Sequence, residues 1–275
     1  MRRNSMDVDS ILEFNTVNRL TSANLIHSTL KEHTIDSIEQ ETHKHCNTKI
    51  SYIINESQFG LFSNKDYQIE AAVPSYCGSH DALYIAKYFD MTRAQEVGKL
   101  EHDSVLDVIT SAPNEHDVIP SGLSMIRLAQ HNDAIDIAKL QFSTNCHYTT
   151  FNQGERAIID DMQQGNDYLV FEFLDNIVAY VRVTYLSHGD VANISNIVIA
   201  DHLDTLDVKR DLITLTKSHL KSLGIVLLQS NCLSDNYDRN KILHQAGFNF
   251  SGRLINQRYQ HGELQSVNVW STPLT

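Results

Sequence analysis

From residue 124 onward, short β-branched and aromatic runs alternate with amphipathic stretches, which predicts strands and helices in turn. Ser124 to Leu128 reads as a strand. Asn132 to Leu140 starts a helix, with Ala134, Ile137 and Ala138 on one face and Asp133 as its cap. Tyr168 to Phe173 and Ile177 to Tyr185 flank the turn Leu174-Asp175-Asn176 and predict a hairpin. Ala192 to Ile199 is a further strand, leading into a helix over Thr205 to Leu223 that Gly224 ends. Ile225 to Gln229 is a short buried strand and Asp238 to Ala246 a helix; Gly247 then opens a closing pair of strands.

Ahead of this region, residues 98–122 are polar and hold two of the four prolines, so they read as a linker with one short element. The linker separates residues 1–97 from residues 123–275. Within the first part, a strand over Ile50 to Ile54, a short helix and a hairpin from Tyr67 to Tyr88 form one pattern. It parallels Ile225 to Gln229, the helix before Phe248 and the hairpin ending at Trp270. Two unrelated α+β pieces would give a similar outline, because strand, helix and hairpin form a common unit.

Composition narrows the function classes. Hydrophobic content of 41% and charged content of 20% describe a soluble globular chain. No apolar run approaches the roughly 20 residues that span a bilayer, and the first ten residues lack the apolar core of a signal peptide, so the cytoplasm is expected and a membrane partner is not. A formal charge of −12 speaks against nucleic acid and for a small cationic partner. The four cysteines show no metal or disulfide spacing. His43-Lys44-His45-Cys46 is the densest cluster among fourteen histidines, but two residues apart on a helix point to different faces, so no metal is expected. No Gly-x-Ser-x-Gly, Gly-x-Gly-x-x-Gly or P-loop occurs.

The order of elements from residue 124 is that of the GNAT N-acetyltransferase fold. Asn240, Gly247-Phe248, Gly252, Leu254, Asn256, Gly262, Asn268-Val269-Trp270 and Pro273-Leu274 resemble the carboxyl end of the β-lysine N-acetyltransferase family. Asp66 to Pro74, Tyr76, Gly78, Asp81-Ala82-Leu83 and Lys87-Tyr88 resemble the same family's non-catalytic lobe. The expected fold is therefore α/β (α+β), with a GNAT domain over residues 123–275 and a smaller, truncated GNAT-like lobe over residues 1–97.

The resemblance implies acetyl-CoA as donor and a small amine, such as β-lysine, as acceptor. It places pantetheine on the strand backbone at Ile197, Val198 and Ile199, and the pyrophosphate on the amides of Asp204, Thr205, Leu206, Asp207 and Val208, with Asn240 at the donor arm. The superfamily pattern there, Arg or Gln, two residues, Gly, one residue, then Gly or Ala, falls on Leu203, Leu206 and Val208, and none matches. Asp201, Asp204 and Asp207 bring carboxylates to this helix start, where one can cap free amides and all repel phosphate, while Lys209 and Arg210 lie within a turn. The family's strand carboxylates fall on Asn193 and Asn196, which can orient a substrate and cannot accept a proton. Tyr237 is the candidate acid for the leaving thiolate, and Glu263, two residues from Gln265, the candidate carboxylate near the end. Tyr148, Phe151, Tyr180 and Tyr185 flank the acceptor groove, Tyr148 and Tyr185 as substrate-binding candidates and Tyr180 as a core residue. Three functions stay open: acetyl transfer to an amine, ligand binding without turnover, and acyl transfer from a carrier-protein thioester. A homodimer is left open.

Overall fold

The protein was described from a computed structural model, which covers residues 12–112, 126–144, 154–174, 176–186, 190–260 and 262–274. Two compact units make up the chain, and both are discontinuous in sequence. The first comprises residues 1–108, 232–237 and 250–270; the second comprises residues 109–231, 238–249 and 271–275.

In the first unit, β1 (Glu13–Asn15), β2 (Leu20–Asn24), β3 (Lys49–Asn55), β4 (Gln68–Cys77), β5 (His80–Tyr88), β11 (Asn249–Gln260) and β12 (Glu263–Pro273) lie in the order β1-β2-β3-β5-β4-β11-β12. Helix α1 (Glu32–Lys44) turns Ile35, Ile38 and Thr42 inward, three and four residues apart, onto a core of Leu25, Ile50, Tyr52, Ile54, Phe62 and Tyr67. Strand β3 is buried on both faces between β2 and β5, which explains its nearly continuous apolar run. His43 packs its ring on Phe89 and His45 stacks on Phe14; among the described residues no group of three or more His, Cys, Asp or Glu is arranged to hold a metal.

Among the described residues, segment 98–122 holds a single element. The twelve-residue helix α3 (Lys99–Thr110) follows the single turn α2 (Met91–Ala94) and is anchored by buried His102, whose Nδ1 lies 2.8 Å from Glu96. Its exposed Leu100 and Val108 blur the amphipathic signal a sequence reader looks for.

In the second unit, β6 (Ile126–Leu128), β7 (Asp167–Phe173), β8 (Asn176–Leu186), β9 (Val191–Ile199) and β10 (Leu227–Leu233) lie in the order β10-β9-β8-β7-β6. Helices α4 (Ala134–Ser143) and α5 (Glu155–Gln163) cover one face of β7 and β8 through Ile137, Ala138, Leu140, Ile158, Tyr168, Val170 and Tyr180. α6 (Leu206–Ser222) connects β9 to β10, and α7 (Tyr237–Gln245) precedes β11. Strand β10 begins two residues later than the apolar run suggests. Gly224, at φ 82°, closes α6: its N–H donates to the Lys221 carbonyl, while that of Ile225 donates to the Leu220 carbonyl. These are the two bonds of a Schellman motif, and they consume Ile225 for the helix end.

Residues from β6 onward follow the GNAT order of strands and helices. The same succession of parallel strand pair, intervening helix and closing hairpin occurs twice: β2-α1-β3 with β4-β5, and β9-α6-β10 with β11-β12.

Candidate functional site

The two parallel pairs differ in one respect. β2 is paired along all five of its residues, from Leu20 opposite Lys49 to Asn24 opposite Ile53, and the Leu25 amide continues onto the Ile53 carbonyl at 2.7 Å. Strand β9 has nine residues but pairs with β10 through only four, from Val191 opposite Leu227 to Ile194 opposite Ser230. Beyond that rung β9 stays on β8 while β10 leaves it. Ser195 marks the parting point: Val183 faces Ile194 and Arg182 faces Asn196, so Ser195 is the extra residue of a β-bulge. Its Oγ donates to the Arg182 carbonyl at 3.1 Å and accepts from Arg182 Nη1 at 2.8 Å. A bulge bends and twists its strand, and here it does so where the partner is lost.

Ladder alternation says which backbone groups face the opening. Ala200 N–H donates to the Val178 carbonyl at 2.8 Å, so Val198, two residues back, also turns its backbone groups to β8. Ile197 and Ile199 therefore present theirs on the other edge, toward the side that β10 has vacated. Of the three backbone positions expected for pantetheine, these two point the right way and Val198 points away.

At the start of α6 the cap is Thr205, not an aspartate: its Oγ1 accepts from the Val208 amide at 3.3 Å, and its carbonyl from Lys209 at 3.1 Å. The amides of Asp204 and Thr205 bond to Asp201 and Leu203. Among the five amides expected to hold a pyrophosphate, Leu206 and Asp207 keep theirs without an acceptor among the described residues. Two of the three carboxylates are also matched: Lys209 pairs with Asp204 at 2.6 Å and Arg210 with Asp207 at 3.1 Å. The helix start therefore keeps a net negative charge, from Asp201.

Asn193 and Asn196 stand on the face that α4 and α5 cover, since they lie opposite Thr184 and Arg182. Asn196 Nδ2 reaches the Tyr180 hydroxyl at 3.3 Å, which reaches Gln141 Oε1 at 3.3 Å; Gln141 Nε2 and Asn193 Oδ1 are buried with no partner. Tyr180 is thus a buried member of this polar row as well as a core ring. Behind it, Asp161 of α5 holds Arg182 at 2.6 and 2.7 Å and accepts from Tyr168 and Asn166. Burial alone would push the Asp161 carboxyl up, but Arg182 and the two hydrogen-bond donors together hold it below the usual carboxylate range. This ion pair escapes a sequence reading because Asp161 occupies the inward face of α5, where a polar residue breaks the apolar stripe. The only signal is a lone arginine in the strand Ile177 to Tyr185.

Tyr185 lies on the opposite face of β8 from Asn193 and Asn196, and its hydroxyl donates to the Asp167 carboxylate; burial, then that neighbour, raises its pKa. The structure does not bring it together with the two asparagines. Tyr148 and Phe151 lie outside the described residues. Asn240 is fully buried on α7, and Tyr237, the first residue of that helix, is 41% exposed. Glu263 is exposed next to Gly262 in the β11–β12 turn. Tyr237 and Glu263 fall in the first compact unit; the donor-strand, α6 and Asn240 positions fall in the second.

No protein-family model matches the chain. It is 20% identical over 224 residues to the β-lysine N(6)-acetyltransferase of Methanococcus maripaludis, an alignment covering 81% of both proteins. It is 21% identical over 207 residues, 74% of each protein, to the N-acetyltransferase YodP of Bacillus subtilis. Among solved structures, one provisionally assigned as a phosphinothricin N-acetyltransferase superposes on 55% of this chain and 98% of its own, with a TM-score of 0.50 at 17% identity. The chain is a homologue of N-acetyltransferases, similar to the β-lysine enzymes along four-fifths of its length, and just over half of it has the GNAT fold.

Proposed function

We propose that this chain is a cytoplasmic N-acetyltransferase that moves an acetyl group from acetyl-CoA to an amine of a small β-lysine-like diamino acid. The observation that carries the reading is the parting of β9 from β10 after the Ile194–Ser230 rung. It leaves the Ile197 and Ile199 backbone groups open on the strand edge, where the amides of a pantetheine arm can add as a further strand would. The copy of this pair in the first unit, β2 and β3, stays zipped throughout and offers no such edge.

In the proposed reaction the free amine attacks the thioester carbonyl carbon, the N–C bond forms, the C–S bond breaks, and the leaving thiolate takes a proton from the Tyr237 hydroxyl, which solvent then reprotonates. The amine's own proton passes to solvent, because the positions next to the gap are amides. Asn193 and Asn196 orient the amine by accepting from it, and the buried, unpartnered Asn193 Oδ1 suits that role. The first-turn amides of Leu206 and Asp207 would take the pyrophosphate. Titration calorimetry with acetyl-CoA tests this: micromolar affinity is expected, and no heat of binding would sink it.

A second reading, a diamino-acid-binding protein without turnover, draws on the Asp204–Lys209 and Asp207–Arg210 pairs, which commit the cations nearest the phosphate position. Retained affinity for the diamino acid without acetyl-CoA binding would select it.

A further inference from the structure

In the second unit Arg127, Arg182, Lys209 and Arg210 all pair with carboxylates. Arg239, in the first turn of α7, reaches into the sheet: its Nη2 donates to Ser230 Oγ at 3.3 Å. Ser230 is fully buried on β10, and its hydroxyl spends its own proton on the Ile194 carbonyl of β9 at 3.1 Å. The chain therefore has one direction, from guanidinium to hydroxyl to strand carbonyl. Ile194 and Ser230 form the last shared rung before β9 and β10 part, so Arg239 is tied to the closed end of the opening. Helix α6 seats α7 there, since Lys217 of α6 donates to the Ala246 carbonyl just past α7 at 2.8 Å and lies over the Phe248 ring.

Arg239, Ser230, Ile194, the Ile197 and Ile199 edge and the start of α6 all belong to the second unit. Where a group stands along the opening decides which part of the donor it meets. Pyrophosphate on the first-turn amides of α6 and pantetheine on the Ile197 and Ile199 edge run the donor back along β9, so its thioester arrives last, at the closed end. From Ile199 back to Ile194 is five residues of strand, about 16 Å. A cation tied to the Ile194 rung therefore stands beside the thioester and not beside the phosphates.

We infer that Arg239 is a catalytic residue that binds the thioester carbonyl oxygen, with Ser230 as the positioning residue that holds its guanidinium. As the N–C bond forms, the carbonyl π pair moves onto oxygen; as the C–S bond breaks, the pair returns to the carbonyl, and the guanidinium keeps its proton throughout. A fixed cation aimed at that oxygen stabilises the developing charge, and one such donor is worth about 100-fold in rate. The planar guanidinium carries five N–H groups, so one can be anchored on Ser230 while another meets the carbonyl. Electrostatic help of this kind carries more of the catalysis here because Asn193 and Asn196 cannot take a proton from the amine.

This inference rests on the acetyl-transfer reading, and the experiment separates the two. Infrared difference spectra of the full chain with acetyl-CoA, labelled with carbon-13 at the thioester carbonyl, isolate that one band. Bound to wild type, the band is expected below its frequency in water, since a charged donor weakens the C=O bond. Arg239→Met is expected to return it to the aqueous value or above, and Arg239→Lys to keep part of the displacement. Calorimetry with CoA, which lacks the acetyl group, reads the rest of the donor: Arg239→Met should bind it within about three-fold of wild type. A wild-type band at or above the aqueous frequency, or a displacement that survives in Arg239→Met, would overturn the inference. So would a larger loss of CoA affinity, which would put Arg239 on the phosphates or the pantetheine arm. Urea denaturation shows whether Arg239→Met folds; if it does not, Arg239→Gln, which loses the charge and keeps an amide donor, is read against the same expectations. Failure of wild type to bind acetyl-CoA brings down both the acetyl-transfer reading and the role of Arg239, whereas binding without band displacement brings down the role of Arg239 alone.

Discussion

Gly252 on β11 lies opposite Ala71 on β4, and a Cβ built on it would sit 2.4 Å from the Ala71 Cα and 2.3 Å from the Glu70 carbonyl oxygen. The backbone there has φ 142°, which a side chain rarely adopts, and the obstructing atoms belong to the backbone and cannot swing aside. Gly252→Ala should therefore force the two strands apart and destabilise the protein by about 3 kcal/mol or more. Urea denaturation reads this directly, and an unchanged midpoint would mean the strands are not held so close.

The same seam holds a buried cation with an unusual pH signature. Lys49 Nζ is wholly enclosed and contacts Glu70 at 2.9 Å, the Ile255 carbonyl at 2.7 Å and Gln257 Oε1 at 2.8 Å. Burial outweighs the pull of Glu70 and lowers its pKa from 10.5 to about 8. Above that pH the folded protein gives up this proton while the unfolded chain keeps it, so the unfolded state binds more protons and stability rises with pH until the unfolded lysine titrates too. The rise amounts to about 3 kcal/mol over that window. Comparing wild type with Lys49→Met between about pH 7.5 and about pH 10 isolates it: their stability difference should climb, and a flat difference would show that Lys49 keeps its proton.

These two positions explain what was legible in the sequence. Gly252 and Asn256 are among the residues that resemble the β-lysine family, and both fix the backbone of β11: Gly252 lets it approach β4, and Asn256, at φ 47°, ties it to the end of α2 by donating to the carbonyls of Arg93 and Gln95. At these two positions the family signal reports a backbone fit. The order of strands and helices was readable because hydrophobic periodicity and Gly224 encode it locally. The opening between β9 and β10 was not, since both strands keep strand-like composition past the Ile194–Ser230 rung; it follows from a bulge at Ser195 and from pairing remote in sequence. α5 was hidden for a related reason: Asp161 is buried there because Arg182, twenty-one residues away, neutralises it.

Tyr237 is exposed at the first position of α7, three residues before buried Asn240 on the same helix. If it reprotonates the thiolate, Tyr237→Phe should lower kcat about 100-fold while leaving KM for the acceptor and the urea midpoint near wild type. An unchanged kcat would remove the hydroxyl from the reaction.

The start of α6 supplies the sharpest electrostatic prediction. Lys209 is held by Asp204 at 2.6 Å, so neither charge is available to a phosphate that approaches the free Leu206 and Asp207 amides. Asp204→Asn removes a repulsive carboxylate and releases the lysine, and Thr205 remains to cap the helix. If the pyrophosphate docks at this end, acetyl-CoA should bind roughly 5- to 20-fold more tightly, and the gain should shrink as salt is raised, since these groups are partly exposed. Calorimetry at low and high ionic strength decides it. An affinity that does not respond to Asp204→Asn would place the phosphates away from α6 and leave the β9 edge and Asn240 as the donor's expected positions in this unit.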